Sequence, residues 1–102
     1  MKSGPTHAPP ADGRRAIRCI VACRVQGVYY RAATAERADA LGLNGWVKNL
    51  SDGRVEAVAS GSLETLAEFA AWLWQGPPAA RVASVQVEEW TEQVPDRFDV
   101  RG

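Results

Sequence analysis

Two arginines and an asparagine are the residues whose types and spacing could act on an anion. Arg24 and Arg31 flank Gly27 in "CRVQGVYYR", and Asn49 closes "GWVKN". The first carboxylate after Arg24 is Glu36, so neither arginine has an acid close by in sequence. A helix N-terminus is the positive end of its dipole and favours acids rather than arginines. An apolar run that turns helical through this stretch therefore leaves a negative partner unaccounted for. Backbone N–H groups converging in a glycine-bearing loop make a nest for a phosphate-sized anion, reinforced by the helix dipole. Arg31, one residue into the helix, can fork onto two phosphate oxygens, where a lysine would act as a point charge. Asn49 carries both a donor and an acceptor, so it can hold a water without taking its proton. Spacing alone leaves plainer readings open. The dipole mismatch is worth only about 0.3–1 kcal/mol per cation, and an asparagine before a turn is ordinary turn chemistry.

The elements that must position these residues follow from periodicity. Residues 16–23 alternate as a strand, with Ile17, Cys19 and Val21 on one side. Residues 30–41 read as an alanine-rich helix with Tyr30, Ala33, Ala38 and Leu41 along its apolar stripe and Gly42 as its stop. A short strand from about Leu43, the turn "SDG" and "RVEAVAS", with Val55, Ala57 and Ala59 on one face, make a hairpin. A second helix starts at the N-cap Ser62, carries Glu64 in its first turn and ends at Gly76-Pro77-Pro78. Leu63, Leu66, Ala70 and Leu73 are expected to face the core. Two further strands follow, with Val85 and Val87 inward in "VASVQVEEW" and Phe98 and Val100 inward in "RFDVRG". The order βαββαβ plus a short terminal strand predicts an α+β, ferredoxin-like sandwich: an antiparallel sheet with two helices on one face. In such a fold the strand ending at Asn49 can lie close to the strand that delivers the glycine loop.

The chain has 102 residues and fits one domain, with residues 1–14 expected to be a disordered tail ahead of a domain spanning 15–102. Twelve acidic and twelve basic residues balance, so no global field draws nucleic acid or a membrane, and anion preference must come from local placement. No segment is long enough to span a membrane, and the N-terminus lacks the apolar centre of a signal peptide. Cys19 and Cys23 are the only cysteines, and two free thiols suit a reducing cytoplasm. His7 lies in the tail, where it is not expected to hold a catalytic geometry.

"CRVQGVYYR", followed by "LGLNGWVKNLSDGRVE" and the closing "FDV", resembles the acylphosphatase signature "GRVQGVFFR" with "GWVxN", over residue 16 to the C-terminus. The resemblance implies that the loop backbone of Arg24, Val25, Gln26, Gly27, Val28 and Tyr29, together with Arg31, holds a phosphate. It assigns orientation of the attacking water to Asn49. The implied reaction is metal-free and cofactor-free hydrolysis of an acyl phosphate to a carboxylate and inorganic phosphate. A small-molecule substrate is then the partner, and nothing demands more than a monomer. The alternative is a non-catalytic anion-binding module on the same fold.

Cys23 stands where the family has glycine. A positive φ there would strain the loop. A thiol near an arginine also opens a second mechanism, because cysteine-dependent phosphatases use a Cys and an Arg with five residues between them around an attacking thiolate. Here seven residues separate Cys23 from Arg31, which would carry the sulfur away from the phosphorus. Cys23 is therefore expected to be a half-buried strand-end thiol. A soft-metal carrier would need a C-x-x-C loop, whereas three residues separate Cys19 from Cys23 and no histidine is near. RNA binding would want a basic face beside exposed aromatics. Of Trp46, Trp72, Trp74 and Trp90, the pair on the second helix cannot both face inward.

Overall fold

The computed structural model of the protein describes residues 15–25 and 30–101; the expected tail lies outside them. Seven elements follow one another: β1 (Arg15–Val25), α1 (Tyr30–Ala40), β2 (Asn44–Asn49), β3 (Val55–Gly61), α2 (Leu63–Gln75), β4 (Ala80–Glu89) and β5 (Phe98–Arg101). The strands form one sheet in the order β4-β1-β3-β2-β5. The first four pair antiparallel with one another, as the ferredoxin-like reading requires. The terminal strand differs from the expected purely antiparallel sheet: β5 runs parallel to β2, so the sheet is mixed. The geometry of the chain explains this. β4 finishes at the end of the sheet where β2 begins, and a strand entering the far edge from that end must run the same way as β2.

Strand alternation sorts the residues into two faces. Cys19, Val21, Val47, Val55, Ala57 and Ala59 lie under the helices and form one core with Tyr30, Ala35, Ala38, Leu66, Phe69 and Leu73. No described helix is long and apolar enough to cross a membrane. Helix α2 begins as expected, with the Ser62 hydroxyl accepting from the Thr65 N–H at 3.2 Å. Its buried stripe, however, runs through Leu66, Phe69 and Leu73, leaving Leu63 exposed and Ala70 half-buried. Phe69, with more surface to bury than Ala70, sets the rotation of the helix and packs edge-on against Phe98 at 6.1 Å. On α1, Thr34 and Ala35 are buried while Ala33 is only half-buried. Val87 and Val100 are each 51% exposed. They sit on the two edge strands, where a neighbour covers one side only. Trp72 packs on the core and Trp74 is exposed, in keeping with the helical spacing.

The opposite face carries a compact polar network. Glu56, buried in β3, accepts from Trp46 Nε1 at 3.0 Å and from Arg18 Nε at 2.7 Å, and Arg18 reaches Glu88 at 2.9 Å. Burial alone would raise the Glu56 carboxyl, but the Trp46 and Arg18 hydrogen bonds hold it below the usual carboxylate range. Trp90 meets the Trp46 ring edge-on at 5.4 Å, and the Arg101 guanidinium lies over that ring at 4.4 Å.

Gly45, the second residue of β2, stands close against β3. Its φ is +141°, and a Cβ built there would overlap the Val58 carbonyl oxygen on β3. The glycine of "GWVKN" is thus a packing requirement of the strand that carries Asn49. Gly45→Ala should lower stability by about 3 kcal/mol or more in urea unfolding, because strain and overlap with rigid backbone add. Unfolding at the parent's midpoint would contradict this.

Candidate active site

The position of Arg31 is set by its neighbour. Tyr30, the first residue of α1, is buried, and its hydroxyl donates to the Leu73 carbonyl near the end of α2 at 2.7 Å. Burial raises the pKa of this phenol above its ordinary value, so it stays a donor. Its ring lies 6.0 Å from Trp72 and close against Gly76, where an added Cβ would come within 2.9 Å of it. The start of α1 is therefore fixed against α2. The first turn contains no acid, so nothing within it neutralises the positive helix end.

From this start Arg31 reaches across to β5, where its guanidinium donates to the Arg101 carbonyl at 2.9 Å. Arg101 pairs in register with Lys48 of β2, and Asn49 is the next residue. Asn49 ends β2 exposed, and its side-chain amide has no partner among the described residues. β1 and β2 both run antiparallel to β3, so the end of β1, which leads into residues 26–29, and the end of β2 lie at the same end of the sheet. Arg31 and Asn49 are thereby brought to one corner of the molecule.

β3 lies between β1 and β2, so two strand spacings, roughly 10 Å, separate Arg24 from the β2 line. Arg24 itself ends β1 exposed, opposite Arg81 of β4. The backbone of Val25 pairs with Ala80, while Gln26, Gly27, Val28 and Tyr29 lie outside the described residues. The Arg101 carbonyl was missed altogether. A main-chain oxygen has no signature in sequence, although the apolar alternation of the closing "FDV" marks the strand that presents it. Among the described residues no group of three or more His, Cys, Asp or Glu is placed to hold a metal ion.

An acylphosphatase family model matches residues 17–100. An acylphosphatase of Nitrosococcus oceani is 48% identical over 87 residues, which cover 83% of this chain and 96% of that relative. One from Cupriavidus metallidurans is 57% identical over 76 residues, covering 74% of this chain and 80% of the relative. Among solved structures, an acylphosphatase from Coxiella burnetii aligns with a TM-score of 0.83 at 41% identity, over 88% of this chain and 95% of that one. The chain belongs to the acylphosphatase family.

Within that family pattern the cysteine in the glycine position is accommodated without backbone strain. Cys23 lies inside β1, paired with Val82, and no described residue other than glycine has a positive φ. Its side chain is half-buried against the core. Burial pushes the Cys23 thiol above its ordinary pKa, and pushes the fully buried Cys19 thiol up to about 12. Both are held as thiols at neutral pH, the opposite of what a nucleophilic cysteine requires. The sign sets the pH dependence: a raised pKa delays thiolate formation as pH rises. Alkylation of Cys23 by iodoacetamide should stay slower than that of a free thiol through pH 8 and accelerate only above the ordinary thiol range, near 8.5. Rapid modification at pH 6–7 would overturn this assignment.

Proposed function

We propose that the protein is a metal-independent acylphosphatase that hydrolyses acyl phosphates to a carboxylate and inorganic phosphate. One observation carries the reading most. Arg31, fixed by Tyr30 and tied to the Arg101 carbonyl, stands at the sheet corner where the unpartnered amide of Asn49 is exposed. Family membership supports the same reaction. The phosphoryl group is held by the guanidinium of Arg31 and by backbone amides of Arg24, Val25, Gln26, Gly27, Val28 and Tyr29. Asn49 orients a water for attack on phosphorus.

The bond to the carboxylate oxygen breaks as the water oxygen bonds to phosphorus. A carboxylate leaves readily without protonation, so no general acid is needed. Charge in the transition state spreads over the phosphoryl oxygens, and positioning with electrostatic stabilisation supplies the catalysis. The water's proton passes to the phosphate itself, so no enzymic base enters and no cofactor takes part. Every group named lies on one chain, so a monomer suffices. With its two free thiols it fits the cytoplasm. Neither nucleic acid nor a membrane is a partner in this reading.

Hydrolysis of benzoyl phosphate by the purified protein should continue in excess chelator. Arg31→Ala and Asn49→Ala should each lower kcat by about 10²–10³-fold with folding intact by circular dichroism, the loss typical of removing one transition-state donor. Binding of inorganic phosphate without turnover in the parent would instead identify a non-catalytic anion-binding module.

A further inference from the structure

Three of the four large apolar side chains exposed among the described residues, Leu63, Trp74 and Val87, lie on one side of the molecule. There α2 covers the outer strand β4, while α1 covers β2 and β5 at the other side of the sheet. Helical spacing divides α2 about its buried stripe of Leu66, Phe69 and Leu73. Trp72 turns to one flank, toward α1, where it meets Tyr30. Leu63, Ala67, Ala70 and Trp74 make the other flank, which overhangs the outer edge of β4. Val82, Val85 and Val87 pair with Cys23, Val21 and Cys19, so they stand on the helix side of β4 and continue this apolar surface.

The edge beneath that flank has no strand beside it among the described residues. The Trp90 N–H donates to the Ala16 carbonyl at 3.0 Å, which makes residues 16 and 90 a hydrogen-bonded pair. By alternation, Ser84, Gln86 and Glu88 turn their backbone groups toward β1, whereas Val85, Val87 and Glu89 turn theirs outward. The ten residues of β4 include no proline or lysine, two common means of blocking an edge.

The strand is also self-complementary in charge. Arg81 stands near its start and Glu88 near its end, so an antiparallel copy brings opposite charges together. With a two-fold axis through Val85, that residue meets its own copy and Ser84 meets Gln86. A bulge sits between them and the start of the strand: Ala22 pairs with Ser84 but Cys23 with Val82, which leaves Ala83 out of the register with β1. With Ala83 left out again, Val82 meets Val87 on the helix side and Arg81 meets Glu88 on the other face. Both pairs occur twice by symmetry. Arg81 has no ion-pair partner among the described residues. Glu88 binds Arg18 at 2.9 Å, yet its side chain is still 61% exposed, so its carboxylate can serve a second cation. The α2 helices also run antiparallel in this arrangement. The Leu63 end of one then meets the Trp74 end of the other, and the small Ala67 and Ala70 between them permit close approach.

We propose that the free edge of β4 and the outer flank of α2 dock a second copy of this chain, joining the two sheets strand to strand about Val85. The inference is independent of the hydrolase reading, since each copy keeps its own site. The face holds fewer than the roughly 20–30 residues a side of a standard interface, so the dimer is reversible and concentration-dependent.

Sedimentation of the full chain from micromolar to millimolar concentration should show its mass moving from one chain to two. Val87→Lys, Arg81→Glu and Glu88→Lys, each checked for folding by circular dichroism, should weaken association by about tenfold or more. Mixing Arg81→Glu with Glu88→Lys should restore it, because each chain then offers the charge the other lacks. One chain's mass at every concentration would overturn the proposal. Val85 and Val87 amides protected from hydrogen exchange in such a monomer would identify another segment of the same chain as the occupant. A dimer as strong in Val87→Lys as in the parent, or a mixture no stronger than its components, would overturn it as well.

Discussion

One buried hydrogen bond, from the Tyr30 hydroxyl to the Leu73 carbonyl, fixes the relation on which the rest depends. It joins the first residue of α1 to the last turn of α2, next to the glycine where α2 stops. A bond of this kind contributes only about 1 kcal/mol net, but its directionality sets where α1 starts, and burial of the ring reinforces it. Arg31 is the adjacent residue. Shifting the helix start by one residue would rotate the guanidinium by about 100° and carry it off β5. The functional arginine is thus positioned by a contact between the helices rather than by the loop alone.

The charges follow a similar division of labour. On the face away from the helices, a buried carboxylate, two cations and an indole N–H satisfy one another around Glu56. At the corner where β1 and β2 end, Arg24, Arg31 and Arg81 have no carboxylate partner among the described residues, and the first turn of α1 contributes none. A chain with no net charge thereby acquires a locally positive end. Arg15 and Arg37 also lack a carboxylate partner among the described residues, so it is the gathering of arginines at this end, not the lack of an acid alone, that sets its charge.

Much of this was legible in the sequence because strand alternation and helix caps act locally. The faces of β1 and β3, the Ser62 cap and the hairpin all follow from near neighbours. Where the competition is between distant groups, local pattern fails. The rotation of α2 depends on Phe69 finding Phe98, and the exposure of Val87 and Val100 depends on which strands end up at the edges. The site divides in the same way. Arg31 and Asn49 announce themselves by type and position, and the resemblance to acylphosphatases gave them roles. The Arg101 carbonyl that holds Arg31, and the bulge that sets Arg81 against Arg24, arise from strand pairing over long sequence separations. The glycine of "GWVKN" could be recognised as a motif, but its reason, the Val58 carbonyl, belongs to the neighbouring strand.

The central claim is that the corner formed by the start of α1 and the end of β2 is where phosphate binds. Titrating the ¹⁵N-labelled protein with inorganic phosphate and following its backbone amides by NMR tests this most directly. The account predicts saturable shifts concentrated in residues 24–31 and at Asn49, and their loss in Arg31→Ala. Shifts centred instead on the polar face around Arg18 and Glu56, or no saturable shifts, would contradict it.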